Sequence, residues 1–319
     1  MNFGAFLGNE ALKERLSAAL AKNQLSHSYL LTGPAGSGKH TLARLLAAAM
    51  ECEEAQRPCL RCQRCRKVLS GSHPDVITVE EPEKKSVSVK QIRQVCADLY
   101  IRPNEGKRKI YLFPRAHDLN PQSQNTLLKS IEEPPEYGVF LLLSEHAERL
   151  LPTVRSRCVE LRLSPLEGDL LKRELASRFP DTAAPVISAA AARSGGYLGQ
   201  AISILEEGSD LLPQTKALSD ALTSGRAPSL LEVLVPMERM KRDALQPVLT
   251  QCLSVIVGAL SCQKGAPALY PECQKLAAAL SSARLLSAAD AFRDAQTFLA
   301  ANVSAAHICG MLAVRLDQQ

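Results

Sequence analysis

The chain contains no tryptophan among its 319 residues, and aromatic residues make up only 4% of it. Aliphatic side chains and alanine must therefore fill the cores, because hydrophobic residues still reach 46%. No apolar run approaches the roughly 20 residues that span a bilayer. The N-terminal stretch "MNFGAFLGNEALKERL" lacks the basic segment and apolar core of a signal peptide. These absences predict a soluble globular protein in the cytoplasm, with no membrane partner.

A strong excess of charge of either sign is also missing. The formal net charge is +5, a mild value that does not by itself indicate nucleic-acid binding. Internal repeats and low-complexity tracts are not visible. The length leaves room for two or three domains.

The first half of the chain alternates apolar runs with helical periodicity. Strands are predicted at 28–31, 75–80, 109–113, 139–144 and 158–163. One helix is predicted before the strands, at 10–21, and three between them, at 39–50, 88–100 and 120–133, the last one stopped by two prolines. This alternation favours an α/β fold, in which a parallel sheet is covered by helices on both faces.

Strand signals stop after Ser164, and the rest of the chain reads as helices broken by Pro and Gly. A candidate linker, Gly-Ser-Asp, lies at 208–210. The predicted division is therefore an α/β core at 1–164, a small helical domain at 165–208 and an all-α domain at 209–319.

A glycine-rich segment, "GPAGSGKH", joins the first strand to the next helix. Glycines let backbone N–H groups wrap a phosphate, the helix N-terminus adds positive potential, and Lys39 can reach the outer phosphates. A turn without chemistry is the alternative, although spacing and context both match a phosphate loop. The candidate binding residues are Gly33, Pro34, Gly36, Ser37, Gly38, Lys39, His40 and Thr41.

One position of this loop departs from the usual pattern. The residue after Lys39 is normally Ser or Thr, whose hydroxyl binds magnesium, but here it is His40, with Thr41 one place later. A neutral imidazole is a poor ligand for a hard cation. The loop is therefore compatible with bound ATP or ADP, whereas magnesium-assisted hydrolysis is not expected.

Four of the ten cysteines lie close together in the sequence, with gaps of six, two and two residues. Four thiolates at such spacing can complete a closed tetrahedron around a structural zinc ion, and the candidate ligands are Cys52, Cys59, Cys62 and Cys65. The alternative is that the four thiols are unrelated and bind no metal. The basic residues around the cluster leave open a DNA-binding module, although no aromatics are interleaved to stack on bases.

The order of these motifs, continued by "HPDV", "NTLLKSIEEPP" and "LLPTVRSRC", resembles bacterial clamp-loader subunits of the DNA polymerase III holoenzyme, which are AAA+ proteins. The resemblance runs through roughly the first 210 residues, and "NVSAAHICGMLAVRL" is similar to the family's closing helix. It implies an AAA+ P-loop core with an inserted zinc module, a helical lid and a C-terminal collar. It also implies a hetero-oligomer with motor and delta subunits, which acts on the sliding clamp and primer–template DNA.

The resemblance covers two subunit types, an ATP-hydrolysing motor and a stator. In motor subunits the third strand ends in Asp-Glu, which orients magnesium and activates the attacking water. Here Pro114 and Arg115 stand there, and Gly199 in "GYLGQA" takes the place of a phosphate-contacting Arg. Together with His40, these changes imply a stator with no intrinsic ATPase activity. A motor subunit in which Asp118 supplies the missing acid stays open.

The motif "SRC", Ser156 to Cys158, carries the remaining candidate residue. The resemblance implies that Arg157 is an arginine finger, which contacts the outer phosphate of ATP bound to a neighbouring subunit and stabilises the transition state there. The alternative is an exposed basic residue at the start of a strand, in a tract rich in arginine.

Overall fold

The computed structural model describes residues 3–81, 87–207, 211–224 and 227–317, so the predicted linker at 208–210 lies outside the described residues. The chain divides into two compact units. The first comprises Met1–Glu167 and Gly196–Gln200, and the second comprises Gly168–Gly195 and Ala201–Gln319. The division at 164 and 208 into three domains stays a prediction.

The first unit is built on a five-stranded parallel sheet, as predicted. Its strands are β1 (Ser28–Thr32), β2 (Val76–Thr78), β3 (Lys109–Phe113), β4 (Gly138–Ser144) and β5 (Val159–Arg162). They lie in the order β2-β3-β4-β1-β5, and Thr32 at the end of β1 pairs with Ser144 at the end of β4. The carboxyl ends of β1, β3 and β4 therefore meet at one edge, where the glycine-rich loop begins.

Helices cover both faces of the sheet, since alternate strand residues enter two different cores. Leu31 packs into one core and Leu30 into the other. The helices are α1 (Glu10–Ala21), α2 (Lys39–Glu51), α3 (Gln63–Ser70), α4 (Val89–Asp98), α5 (Pro121–Glu132) and α6 (Pro152–Arg155). The Asn120 side chain caps α5 by accepting from the N–H of Ser123, and Pro121 occupies the first turn. Helix α3, inside the cysteine segment, was not predicted.

The described residues of the second unit contain helices and no strand. They are α7 (Gly168–Arg178), α8 (Ala184–Arg193), α9 (Leu198–Glu207, of which Ala201 onward belongs here), α10 (Pro213–Ser224), α11 (Ala227–Met237), α12 (Arg242–Gln263), α13 (Pro271–Ala279), α14 (Ser282–Ala300) and α15 (Ala305–Asp317). Their shared core is aliphatic and alanine-rich around Phe292, as the scarcity of aromatics requires.

Helix α12 is long and apolar enough, by length and composition, to cross a membrane. One of its faces is buried, including Leu245, Leu249 and Ile256, and the helix packs on α13 and α14. The core helix of a soluble domain meets the same criterion, so the helix is weak evidence for a membrane span. The predicted lack of a membrane partner stays a prediction.

Candidate functional site: phosphate loop, cysteine centre and Arg157

The glycine-rich loop connects β1 to α2 in the first unit. Gly36 and Gly38 have positive φ angles of 70° and 91°, in the left-handed region that glycine adopts without steric cost. The backbone N–H groups of both glycines donate to no residue that the structure describes. Because free N–H groups at the start of a helix bind phosphates, the loop is compatible with the phosphates of a nucleotide.

The chain's own groups hold the ammonium group of Lys39 at this loop. The side chain is only 4% exposed, and its Nζ donates to the carbonyl oxygens of Gly33 (2.8 Å) and Pro34 (2.7 Å). The carboxylate of Glu145, just beyond β4, lies 3.7 Å from Nζ. Burial lowers the pKa of Lys39, and Glu145 opposes that shift. The carboxylate of Glu145 therefore partly neutralises the Lys39 ammonium group, as the phosphate of a bound nucleotide would do.

The magnesium side of the loop is altered in the way the sequence indicates. His40 occupies the position after Lys39, and partial burial together with Lys39 and Arg44 lowers the pKa of its imidazole. Thr41 is exposed on the first turn of α2. A neutral imidazole replaces the hydroxyl ligand, so this set of residues does not suit a magnesium ion.

The end of β3 also lacks the acids that a hydrolase uses. Pro114 and Arg115 follow Phe113, and a short 3₁₀ turn, Ala116–Asp118, comes next. The Arg115 guanidinium binds the carboxylate of Asp118 through Nε (2.7 Å) and Nη2 (2.6 Å). Asp118, the acid that could substitute in a motor subunit, is therefore engaged by the cation at the altered position.

Gly199 packs directly on the phosphate loop. Its N–H donates to the carbonyl oxygen of Gly36 over 2.9 Å, and a Cβ built on Gly199 would lie 2.6 Å from Gly36 Cα. A Cβ on Gly36 would in turn lie 2.3 Å from the nitrogen of Gln200. Sequence reasoning identified the missing arginine at Gly199 but not this contact, which leaves no space for any side chain.

The four predicted zinc ligands converge on one point. The Sγ atoms of Cys52, Cys59, Cys62 and Cys65 all lie within 4.8 Å of one another, and those of Cys59 and Cys65 are 3.9 Å apart. A tetrahedron with zinc–sulfur distances of about 2.3 Å has edges of about 3.8 Å. The cluster is therefore compatible with a structural zinc ion, as the spacing predicts.

Backbone N–H groups donate to two of these thiols. Cys62 is the N-cap of α3, the N–H of Cys62 donates to Cys59 Sγ (3.3 Å), and the N–H of Cys65 donates to Cys62 Sγ (3.4 Å). The N–H of Arg61 lowers the pKa of Cys59 to about 6, whereas burial raises the pKa of Cys52 and of Cys65. Because the thiolate is the form that binds zinc, the backbone donors favour ligation by Cys59.

Two buried acids that sequence reasoning missed support the same region. Asp75 accepts hydrogen bonds from the N–H groups of Asn104 (2.6 Å), Glu105 (2.8 Å) and Gly106 (2.7 Å). Glu51, next to Cys52, accepts from those of Lys107 and Arg108, each at 3.0 Å. On α3, Lys67 adds an ion pair with Glu105 at 2.5 Å. The only sequence signal was a charged residue, Glu51, at the end of the apolar helix α2.

Arg157 lies between α6 and β5, with 39% of its side chain exposed. Its Nη1 donates to the carbonyl oxygen of Thr153 (2.9 Å) and to Ser156 Oγ (3.3 Å). Its Nε forms an ion pair with Glu132 at the end of α5. The guanidinium is therefore oriented by its own chain and still accessible from outside.

A family model matches the segment that holds all of these residues except Gly199. A family model described as "DNA polymerase III, delta subunit" matches residues 8–167. The DNA polymerase III subunit delta' of Pseudomonas aeruginosa is 40% identical over 177 residues, 54% of each chain. The DNA polymerase III subunit gamma of Buchnera aphidicola subsp. Schizaphis graminum is 31% identical over 214 residues, 64% of this chain and 58% of that one.

Solved structures give a weaker likeness. A DNA polymerase III gamma subunit-related protein of Thermotoga maritima has 17% identity and a TM-score of 0.49, with 95% of this chain and 98% of that chain covered.

The chain spans about half the length of the curated relatives it matches first. Both delta' and gamma subunits occur among them, so the likeness does not separate a stator from a motor. The matched residues contain the parallel sheet, the phosphate loop and the cysteine cluster of the first unit. Because the family model covers half of the chain, and that half contains the five-stranded parallel sheet, the chain belongs to the DNA polymerase III delta subunit family.

Proposed function

We propose that this chain is the delta-prime stator of a bacterial clamp loader. It hydrolyses no ATP in its own site and donates Arg157 as an arginine finger to ATP held by a neighbouring motor subunit. The complex uses that ATP to load the sliding clamp onto primer–template DNA during replication. The subunit is then a scaffold whose catalytic contribution is made in trans.

The observation that carries this proposal is the cationic end of β3. Arg115 stands where a motor subunit needs a carboxylate, and it binds Asp118, the nearest acid that follows in sequence. An arginine can neither accept a proton from water nor coordinate magnesium. The site therefore has no general base at this position to activate water. It also has His40 where a hydroxyl ligand for magnesium would be needed.

The closed environment of the loop supports the same conclusion. The N–H of Gly199 donates to the Gly36 carbonyl at 2.9 Å, and a Cβ on Gly199 would lie 2.6 Å from Gly36 Cα, so a side chain there would require the backbone to move. ATP or ADP in the loop, held by Gly33, Gly38, Lys39 and their neighbours, would be a structural ligand. Turnover by this chain is not needed for that role.

The remaining parts of the proposal concern cofactor and assembly. Cys52, Cys59, Cys62 and Cys65 would hold one structural zinc ion, with no open position for chemistry. Residues 209–319 would form a collar that assembles with motor and delta subunits in the cytoplasm, with 165–208 as the lid. The collar assignment comes from the family, because apolar helices alone indicate only that something packs there.

An ATP-hydrolysing motor subunit is the second candidate, and the likeness to gamma subunits favours it. It requires some other carboxylate to activate water, because the Asp-Glu pair of motor subunits is replaced by Pro114 and Arg115 here. Asp118 could do this only after leaving Arg115, which binds it through two nitrogen atoms.

The test is ATP turnover by the purified chain, alone and reconstituted with motor and delta subunits, clamp and primed DNA. We expect none from the chain alone. In the complex, Arg157→Ala should slow the single site that this finger completes by about 10³-fold, so total turnover loses that site's share. Arg155→Ala, at a neighbouring exposed arginine, is the matched control and should change nothing.

Two results would contradict the proposal. Magnesium-dependent turnover by the isolated chain would favour the motor subunit. Equal turnover in complexes with Arg157→Ala, Arg155→Ala and the unchanged chain would remove the finger role.

A further inference from the structure

We propose that Glu132 is the positioning residue of the Arg157 finger, an inference that rests on the proposed function. Glu132 is the last residue of α5, and Arg157 follows α6. The two residues are separated by β4 in the sequence, but their side chains form an ion pair between Arg157 Nε and Glu132 Oε1. This ion pair was not evident from the sequence.

The contacts of Arg157 leave one end of the guanidinium available. Nε is paired with Glu132, and Nη1 donates to the Thr153 carbonyl (2.9 Å) and to Ser156 Oγ (3.3 Å). Nη2 donates to no residue in the described part of the chain. The group is thus held through two nitrogen atoms, while the third can donate to an outside acceptor.

Orientation of this kind matters because arginine is long and flexible. A free arginine side chain loses conformational entropy about several rotatable bonds when it binds a phosphate. A side chain that is already held in place loses less. Glu132 is the last residue of α5, and Pro134 and Pro135 prevent this helix from continuing. Glu132 would therefore lower the entropic cost of engaging a phosphate in the transition state.

The effect should be modest because both partners are partly exposed, 39% for Arg157 and 41% for Glu132. Exposed ion pairs contribute little, which corresponds to a factor of about two to five in an equilibrium or a rate. If Glu132 instead held Arg157 away from its target, removing the carboxylate would increase the rate of ATP turnover by the complex.

The experiment compares Glu132→Gln with Glu133→Gln in the reconstituted complex. Glu133 is the adjacent exposed acid, and its side chain has no ion pair or hydrogen bond to any described residue. We expect Glu132→Gln to lower the Arg157-dependent part of kcat about two- to five-fold with the KM for ATP unchanged. Glu133→Gln should match the unchanged complex, and assembly and melting temperature should be the same for all three.

A double-mutant cycle shows whether Glu132 acts through Arg157. In the Arg157→Ala background, Glu132→Gln should cause no further loss, because the group it positions is gone. An additive loss would overturn the inference, as would faster turnover or no difference between Glu132→Gln and Glu133→Gln.

The two proposals fail in different ways. If Arg157→Ala slows the complex and Glu132→Gln does not, the finger role stands and the positioning role falls. If Arg157→Ala has no effect, the proposed function falls, and the positioning role falls with it.

Discussion

The backbone of Gly199 lies on the backbone of Gly36, with 2.9 Å between the amide nitrogen of the first and the carbonyl oxygen of the second. Neither residue has room for a Cβ, since one on Gly199 would be 2.6 Å from Gly36 Cα. In this chain, the position where the family resemblance implies a phosphate-contacting arginine therefore has room only for glycine.

Gly199→Arg should for that reason fail to restore a working sensor. We expect it to lower the free energy of unfolding by about 1–3 kcal/mol through overpacking, with no ATP turnover by the isolated chain. Urea denaturation and a turnover assay measure the two effects. Gly168→Arg is the control, because a Cβ built on Gly168 meets nothing within 4 Å. Turnover by Gly199→Arg would show that the arginine alone was missing.

Lys39→Met should show whether Lys39 stabilises the fold or takes part in ATP turnover. The ammonium group holds the Gly33 and Pro34 carbonyls, so its loss should cost about 1–3 kcal/mol of stability. Turnover by the reconstituted complex should stay unchanged, because we propose that this chain's own site does not hydrolyse ATP. Arg44→Met, at an exposed arginine of the same helix, should alter neither quantity. A loss of turnover as large as that of Arg157→Ala would favour the motor subunit.

Removal of zinc should unfold a segment without unfolding the sheet. A closed four-ligand site organises the chain that carries its ligands, here the residues from Cys52 through α3. After chelation, hydrogen exchange should become fast at 52–70 and faster at 104–108, because Lys67 pairs with Glu105. Peptides from β1 and β4 should keep their protection.

The control for this prediction is Cys262→Ser, since Cys262 lies in the second unit, far along the chain from the cluster. It should leave the zinc content at one ion per chain. Global melting on chelation would contradict a local role, and a chain that purifies folded without zinc would remove the metal assignment.

The sheet could be predicted from the sequence because its strands are buried on both faces. Such strands read as unbroken apolar runs, and "KIYLF" and "VFLLLS" correspond closely to β3 and β4. The phosphate loop and the cysteine cluster were recognisable for a related reason. Their chemistry depends on short-range spacing, which a sequence displays directly.

Contacts between distant parts of the chain could not be predicted in this way. Nothing in "LLKSIEEPP" marks Glu132 as the partner of Arg157, and nothing near Gly199 indicates a contact with Gly36. Helix α3 was missed because it is only eight residues long and begins inside the cysteine segment, whose spacing was interpreted as a metal site. The Cys62 side chain caps that helix, so its start depends on the geometry of the cysteine cluster.

Asp75 provides a test of how buried acids stabilise the first unit. Both carboxylate oxygens accept backbone N–H groups of the loop at 104–106, at 2.6 to 2.8 Å. Burial alone raises the pKa of this carboxyl, but these three donors outweigh burial and hold the pKa below the usual 3.8. Since the folded pKa is depressed, the stabilisation is complete above the unfolded value and is lost as pH falls through the folded one.

Asp75→Asn should therefore be most costly at neutral pH. An amide presents N–H donors to backbone N–H groups, so we expect a loss of about 1–3 kcal/mol at pH 7. The difference between the two proteins should shrink below about pH 4, because protonated Asp75 has the same defect. Urea unfolding at a series of pH values measures it, with the exposed Glu14→Gln as the control that should show no such trend. A difference that stays constant down to pH 3 would mean that the charge of Asp75 does not hold the loop.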